Sequence, residues 1–327
     1  MERIRVYEFG GPEVLKLEDA PDPDPLTNEV VIQVKAAGVN PYDTYMRAGA
    51  YGSRNPDLPY TPGSDAAGVV WALGSEVKSI SVGDRVYTTG TISGAYAGMA
   101  VCNRSQLHPL PPSASFSQGA ALFVPYATAY RSLFQLAHAK AGETVLIHGA
   151  SGGVGIAAVQ WARAAGLTVI GTAGSEKGLE LIRAQGAHHA VNHLSTEHHP
   201  EIMEITKAKG VDVILEMLAN KNLGVDLKLL AERGRVVVIG SRGEVQIDPR
   251  DVMVRGATIK GMLLWATPES DLEVIFEAID SGLKTGILRP VIGLELPLAA
   301  ASEAHRRVME PGALGKIVLL PGSDQNS

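Results

Sequence analysis

Three glycines separated by two residues each, Gly149, Gly152 and Gly155, carry the clearest chemistry in this sequence. They follow Thr144-Val145-Leu146-Ile147, a run of apolar or β-branched residues that reads as a strand. They lead into Ile156-Ala157-Ala158-Val159-Gln160-Trp161-Ala162-Arg163, which reads as a helix. Strand, glycine turn and helix N-terminus together make an anion site, because free backbone N–H groups and the helix dipole point at one spot. Glycine lets a pyrophosphate approach the backbone with no Cβ in the way. Ala150 stands where the first glycine of G-x-G-x-x-G would be, so the setting between strand and helix carries more weight than the glycine count. Ser151, Gly152, Gly153 and Val154 are the expected cradle. A tight turn with no ligand is the alternative.

A second site follows downstream. The strand Leu167-Thr168-Val169-Ile170-Gly171 runs into Thr172-Ala173-Gly174-Ser175. An NAD site has an Asp or Glu near here to bond the ribose 2′-hydroxyl. This chain has none at that place. Gly174 and Ser175 leave room for a 2′-phosphate, and Lys177 offers it a point charge. Glu176 would repel a phosphate if it turned inward, but as an early helix residue it is favoured by the dipole. The expected cofactor is NADPH.

The elements around these residues form two textures. The chain has 327 residues, enough for about two domains. Residues 1 to 121 are β-rich, with strands at Glu29–Ala37, Gly68–Leu73 and Asp84–Tyr87 punctuated by glycine turns. Beyond them, strands at Thr144–Ile147, Leu167–Gly171, Val211–Glu216 and Arg235–Ile239 alternate with helical stretches. That alternation predicts an α/β, doubly wound parallel sheet of the Rossmann kind over 122–265. Residues 266–327 hold too few elements for a domain of their own and are assigned back to the first one. The dinucleotide-binding domain is thus inserted in a discontinuous β-rich domain, with the reaction expected in the cleft between them.

Composition narrows the function. Hydrophobic residues make up 45% and charged residues 20%, values of an ordinary globular protein, and a net charge of −6 argues against generic nucleic-acid binding. The single cysteine, Cys102, excludes an intramolecular disulfide and a cysteine-cluster zinc site, and fits a reducing compartment. No signal core or membrane-spanning run is legible, so the expected location is cytoplasmic. Five of the nine histidines crowd at His188, His189, His193, His198 and His199. A solvated loop accounts for them; a shallow metal site is the rival.

Several motifs in order resemble the zinc-free, zeta-crystallin-like quinone oxidoreductases of the medium-chain dehydrogenase/reductase superfamily. They are Gly10-Gly11-Pro12-Glu13-Val14-Leu15, Gly38-Val39-Asn40-Pro41, Tyr60-Thr61-Pro62-Gly63-Ser64-Asp65, Gly83-Asp84-Arg85-Val86, the glycine turn, Gly171-Thr172-Ala173-Gly174 and Gly315-Lys316-Ile317-Val318-Leu319. The resemblance runs nearly end to end and implies a GroES-like fold for the β-rich domain. In zinc relatives a cysteine, a histidine and a second cysteine hold the catalytic metal. Asn40, Ser64 and Val124 stand at those places, a set unsuited to zinc.

The resemblance also implies roles. Asn40 and Tyr45, on the loop that bears a metal ligand in zinc relatives, are the expected catalytic hydrogen-bond donors to a quinone. Tyr45 and Thr128 would touch nicotinamide, with Tyr51 and Tyr60 widening the aromatic wall. Asp43 is expected only to orient its neighbours. His193 would lie near the adenosine phosphate, and Lys316 is a second phosphate candidate. Asn222, Gly240 and Ser241 lie at carboxyl ends of later strands, where the cofactor passes. The activity implied is NADPH-dependent quinone reduction. Reduction of enones or enoyl thioesters stays open, as does a structural, AU-rich-RNA-binding role. A dimer or tetramer is implied, with Ile259–Leu264 as a pairing edge.

Overall fold

The structure, a computed structural model, describes residues 1–322. The chain forms two compact units: Met1–Val124 with Pro290–Glu310 and the segment from Gly315, and Pro125–Arg289 with Pro311–Leu314.

The first unit is mostly antiparallel sheet. Strands β1 (Glu2–Arg5) and β2 (Lys16–Asp19) pair with each other. The larger sheet is built on β3 (Glu29–Val39), β4 (Asp65–Leu73), β5 (Arg85–Thr88), β6 (Met99–Asn103) and β7 (Leu107–Pro109). β3 is the hub, because β4 and β6 both pair with it. Its Val30, Ile32, Val34 and Ala37 are buried in the core. The helix Pro41–Arg47 leaves directly from its end, with proline in the first turn, where a missing N–H costs nothing.

The second unit is the expected parallel sheet. β8 (Thr144–Ile147), β9 (Thr168–Ala173), β10 (His189–Asn192), β11 (Val211–Glu216), β12 (Leu230–Val238) and β13 (Thr258–Gly261) lie in the order β10-β9-β8-β11-β12-β13. The order reverses between β8 and β11, the switch point at which such sheets bind ligands. Val145, Leu146 and Ile147 are wholly buried, as strands covered on both faces require.

The return to the first unit comes later than expected. Residues 266–289, assigned from sequence to the β-rich domain, belong to the second unit. The helix Glu269–Thr285 is tied there by an Arg131–Asp271 ion pair and by Gln135 Nε2 donating to the Asp271 carbonyl. These contacts bridge about 140 residues, which local pattern does not report. Only β14 (Ile292–Pro297), the helix Ala301–Arg307 and β15 (Lys316–Leu320) rejoin the first unit. β15 runs antiparallel to β3 and parallel to β14. Residues 323–327 of the assigned segment lie outside the described residues.

Candidate functional site

The glycine turn sits at the carboxyl end of β8. Gly149 has φ of 56°, a left-handed conformation that glycine adopts without strain. A Cβ on Gly155 would come within 2.5 Å of Ala150 Cα and the Gly149 carbonyl oxygen, so this glycine serves helix–turn packing. Gly152 differs. Its φ is −82°, and a Cβ there would meet the Gly149 oxygen at 3.5 Å and Ala313 at 3.7 Å, ordinary contacts. The fold does not demand glycine at 152; a ligand approaching the backbone would. Gly152 caps the twelve-residue helix Gly153–Ala164 with no side-chain acceptor, so its first N–H groups remain available to an anion. Gly152, Gly153 and Val154 are partly exposed, whereas Ser151 is buried.

The end of β9 supplies the neighbouring feature. A Cβ on Gly174 would lie 2.8 Å from His193 Nε2, so Gly174 and His193 are adjacent. His193 Nδ1 lies 3.4 Å from Thr172 Oγ1. Burial lowers its pKa, followed by the charges of His148 and His198. Ser175 Oγ accepts from Gly178 N and so caps its helix. Lys177 is exposed on that helix. This cradle, open at Gly152 and free of acid beside Gly174, fits a dinucleotide with a 2′-phosphate. Asn222 is partly exposed, but its Nδ2 donates to Glu216 Oε1 at 3.1 Å. Ser241 Oγ donates to the Gly243 carbonyl, Gly240 N reaches the Glu216 carbonyl, and Thr128 is buried.

The first unit holds a buried polar cluster around Asn40. Strand register assembles it: Gly38 pairs with Asp65, and Ile317 with Val39, which brings Lys316 beside Asn40. Lys316 Nζ donates to Asp65 Oδ2 at 2.8 Å and to Asn40 Oδ1. Asn40 Nδ2 donates to the same Asp65 oxygen at 2.9 Å, and Val124 N to the other at 2.9 Å. A Cβ on Gly38 would collide with the Ala120 carbonyl oxygen at 2.0 Å and Lys316 Cε at 2.8 Å, so glycine makes room for the pair.

Two expectations change here. Lys316 is 4% exposed and fully engaged in the first unit, so it is not a phosphate ligand. Asn40 is 3% exposed with both ends of its amide committed, so it positions its loop and does not stand out as a donor to substrate. The reason in both cases is that an ammonium and a carboxylate buried together must satisfy each other.

Asp43 joins the cluster from the helix. Its Oδ2 accepts from Asn40 N at 2.9 Å and from the Tyr96 hydroxyl at 3.2 Å, and its Oδ1 faces Ser64 Oγ at 3.4 Å. Burial pushes its pKa up to about 6, with the Asp65 charge adding and the Asn40 N–H opposing. His305 is pushed down to about 3 by burial and by Arg47, and is neutral. Arg47 Nη1 can only donate, so His305 Nδ1 accepts at 3.1 Å and Nε2 carries the proton toward Tyr96 at 3.2 Å. A directed line therefore runs Arg47, His305, Tyr96, Asp43. Sequence reasoning missed Asp65, Tyr96, His305 and Arg47 as partners, though Asp65 closes one of the motifs quoted above. Asn40, Ser64 and Val124, the three metal-ligand places of the zinc relatives, do converge, each bonded to Asp43 or Asp65.

Tyr45 is partly exposed and meets Tyr51 edge-on at 6.4 Å; Tyr42 lies 5.3 Å from Tyr51. Burial raises the Tyr51 pKa and brings Tyr42 to about 12, so both are neutral donors. The Tyr60 hydroxyl is buried with no hydrogen-bond partner. The histidines at 188–199 take separate duties: His188 Nδ1 accepts from Val169 N, and His198 stacks on His199 at 3.7 Å. Among the described residues, the one group of three with ligand-type atoms together is His148, Glu216 and Asp226. No helix of the described residues is long and apolar enough to cross a membrane.

The comparisons agree with this architecture. Residues 27–112 match the alcohol dehydrogenase GroES-like domain, and 153–280 match the zinc-binding dehydrogenase family. The chain is 48% identical over 322 residues to quinone oxidoreductase of Homo sapiens, covering 98% of each chain. It is 50% identical over 324 residues to that of Mus musculus, again covering 98% of each. In structure it is similar to Escherichia coli quinone oxidoreductase complexed with NADPH, with a TM-score of 0.86, 31% identity, and 98% and 100% of the two chains covered.

Proposed function

We propose, from the premise that this chain belongs to the quinone oxidoreductase family of the medium-chain dehydrogenases, that it reduces quinones with NADPH. The observation that carries the cofactor half of this reading is the acid-free end of β9 next to an uncapped, glycine-lined helix N-terminus. The helix N–H groups bind the pyrophosphate, Gly174 and Ser175 leave space, and Lys177 pairs with the 2′-phosphate. When bound, NADPH supplies a hydride. The protein then positions the acceptor and offers donors as charge develops on its oxygen. Tyr45 takes the donor role left by the correction at Asn40, and the Lys316–Asp65–Asn40 cluster holds its loop. A quinone needs no Lewis acid, because its reduction gives an aromatic product, and the donors at 40, 64 and 124 are a poor zinc set. The assembly is a homo-oligomer joined through β13, an edge of its sheet, and its location is the cytoplasm.

The test is NADPH oxidation by the purified chain against ortho-quinones, para-quinones, enones and enoyl-CoA. Quinone turnover with NADPH well above NADH supports the reading. Turnover confined to enones or enoyl thioesters, or preference for NADH, sinks it.

A further inference from the structure

Beneath the glycine turn, at the switch point of the sheet, lies a buried group that the reaction does not use. His148 follows β8, Glu216 ends β11, and Asp226 sits on the helix Ala219–Leu229. Their side chains are 7%, 0% and 1% exposed. His148 Nε2 donates to Asp226 Oδ1 at 2.8 Å and lies 3.4 Å from Glu216 Oε2. Glu216 Oε1 accepts from Leu218 N and from Asn222 Nδ2. The remaining oxygens, Glu216 Oε2 and Asp226 Oδ2, are buried and receive no N–H or O–H from the described residues. Two carboxyl groups facing each other in this way are satisfied by a single proton on one of them, which then donates to the other.

We propose that His148, Glu216 and Asp226 are positioning residues for dinucleotide binding, and that a proton shared between Glu216 and Asp226 holds the turns that form the cradle. The connections support it. Glu216 spans three strand ends: its carbonyl accepts from Ile239 N and Gly240 N, and its carboxyl holds Leu218 and Asn222. His148 precedes Gly149, and its N–H bonds to the Leu215 carbonyl on β11. Burial pushes Glu216 up to about 8; His148 opposes this and Asp226 adds to it. Burial alone would lower the His148 pKa, but Asp226 and Glu216 outweigh it and the net direction is up. His193 beyond β10 and His199 on the helix His198–Ile205 face the same group through their interactions with His148 and Asp226. Loss of the shared proton sets two carboxylates against each other under an anion site. Dinucleotide binding therefore favours the protonated form. The 2.8 Å contact between His148 and Asp226 is a direct hydrogen bond, which argues for a proton and against an interposed ion.

The proposal rests on the NADPH reading, and its test separates the two. NADPH affinity is measured on the full chain from pH 7.5 to 9.5, above the titration of the 2′-phosphate near pH 6. The wild type is expected to weaken about tenfold, as a one-unit pKa difference between free and bound states gives. Glu216→Gln, which mimics the protonated acid, is expected to bind like wild type at pH 7.5 and stay level. A level wild type, or parallel decline in both, overturns the proposal. Calorimetry of wild type at pH 8.5 in buffers of different ionisation enthalpy reads proton uptake directly; no uptake overturns it even if the variant fails to fold. Without ligand, Glu216 binds its proton more tightly when folded, so its contribution falls as pH rises from about 4.5 to 8 and then levels. The melting temperature of Glu216→Gln should lack that share of the decline. This arm decides the proton even if no dinucleotide binds, in which case the NADPH reading alone fails. A stoichiometric metal in the purified protein that is lost in Glu216→Gln also overturns the proposal.

Discussion

Lys316 shows how a single residue changes meaning when its partners are known. Its ammonium is buried against Asp65 and Asn40. Lys316→Met removes the cation and leaves the Asp65 carboxylate without its counter-charge. The expected cost is about 3–5 kcal/mol in denaturant unfolding, and the double variant Lys316→Met/Asp65→Asn should recover part of it. Lys177 is the opposite case, exposed and with space around it. Lys177→Ala should weaken NADPH by roughly tenfold, the worth of one charge-assisted contact, and leave stability unchanged. Its NADH affinity should not move, which calorimetric titration of both cofactors checks.

At the scale of elements, the strand–turn–helix unit carries the cofactor reading. β8 has the bounds that its apolar run predicts, and the helix begins one residue before Val154. The helix can accept a Cβ at its N-cap in steric terms, because Gly152 has ordinary dihedrals and open space. Gly152→Val should therefore fold with a melting temperature close to wild type and lose NADPH binding. A variant that folds and binds normally would place the phosphates elsewhere. Gly155 would not separate these effects, since a side chain there strikes the Ala150 backbone and damages the fold itself.

The whole molecule is two units with different sheet types and one chain that crosses between them. The second unit ends in the edge strand β13, where Ile259 is exposed beside the more exposed Met253 and Val254. An unpaired edge with apolar neighbours favours strand pairing between copies. Ile259→Lys should shift the oligomer toward monomer in light scattering while NADPH binding persists. Activity should also survive exhaustive dialysis against a strong chelator, because the groups at 40, 64 and 124 are an amide, a hydroxyl and a valine. Loss of turnover restored by zinc would reverse that conclusion and direct attention to the His148 group.

The sequence by itself determined what local pattern encodes. Apolar runs broken by glycine placed the strands of the second unit, and the glycine spacing and the missing acid after Ala173 defined the cofactor cradle. These are short-range properties, because strand and helix periodicities and turn chemistry lie within a dozen residues. Only the tertiary structure decided the pairing of Lys316 with Asn40, 276 residues apart, and with Asp65, 251 apart. The same holds for the shared site of His148, Glu216 and Asp226, and for the helix Glu269–Thr285 in the second unit. Buried charges take their role from whichever opposite charge the strand register brings to them, and that register joins segments whose local sequences carry no mark of each other.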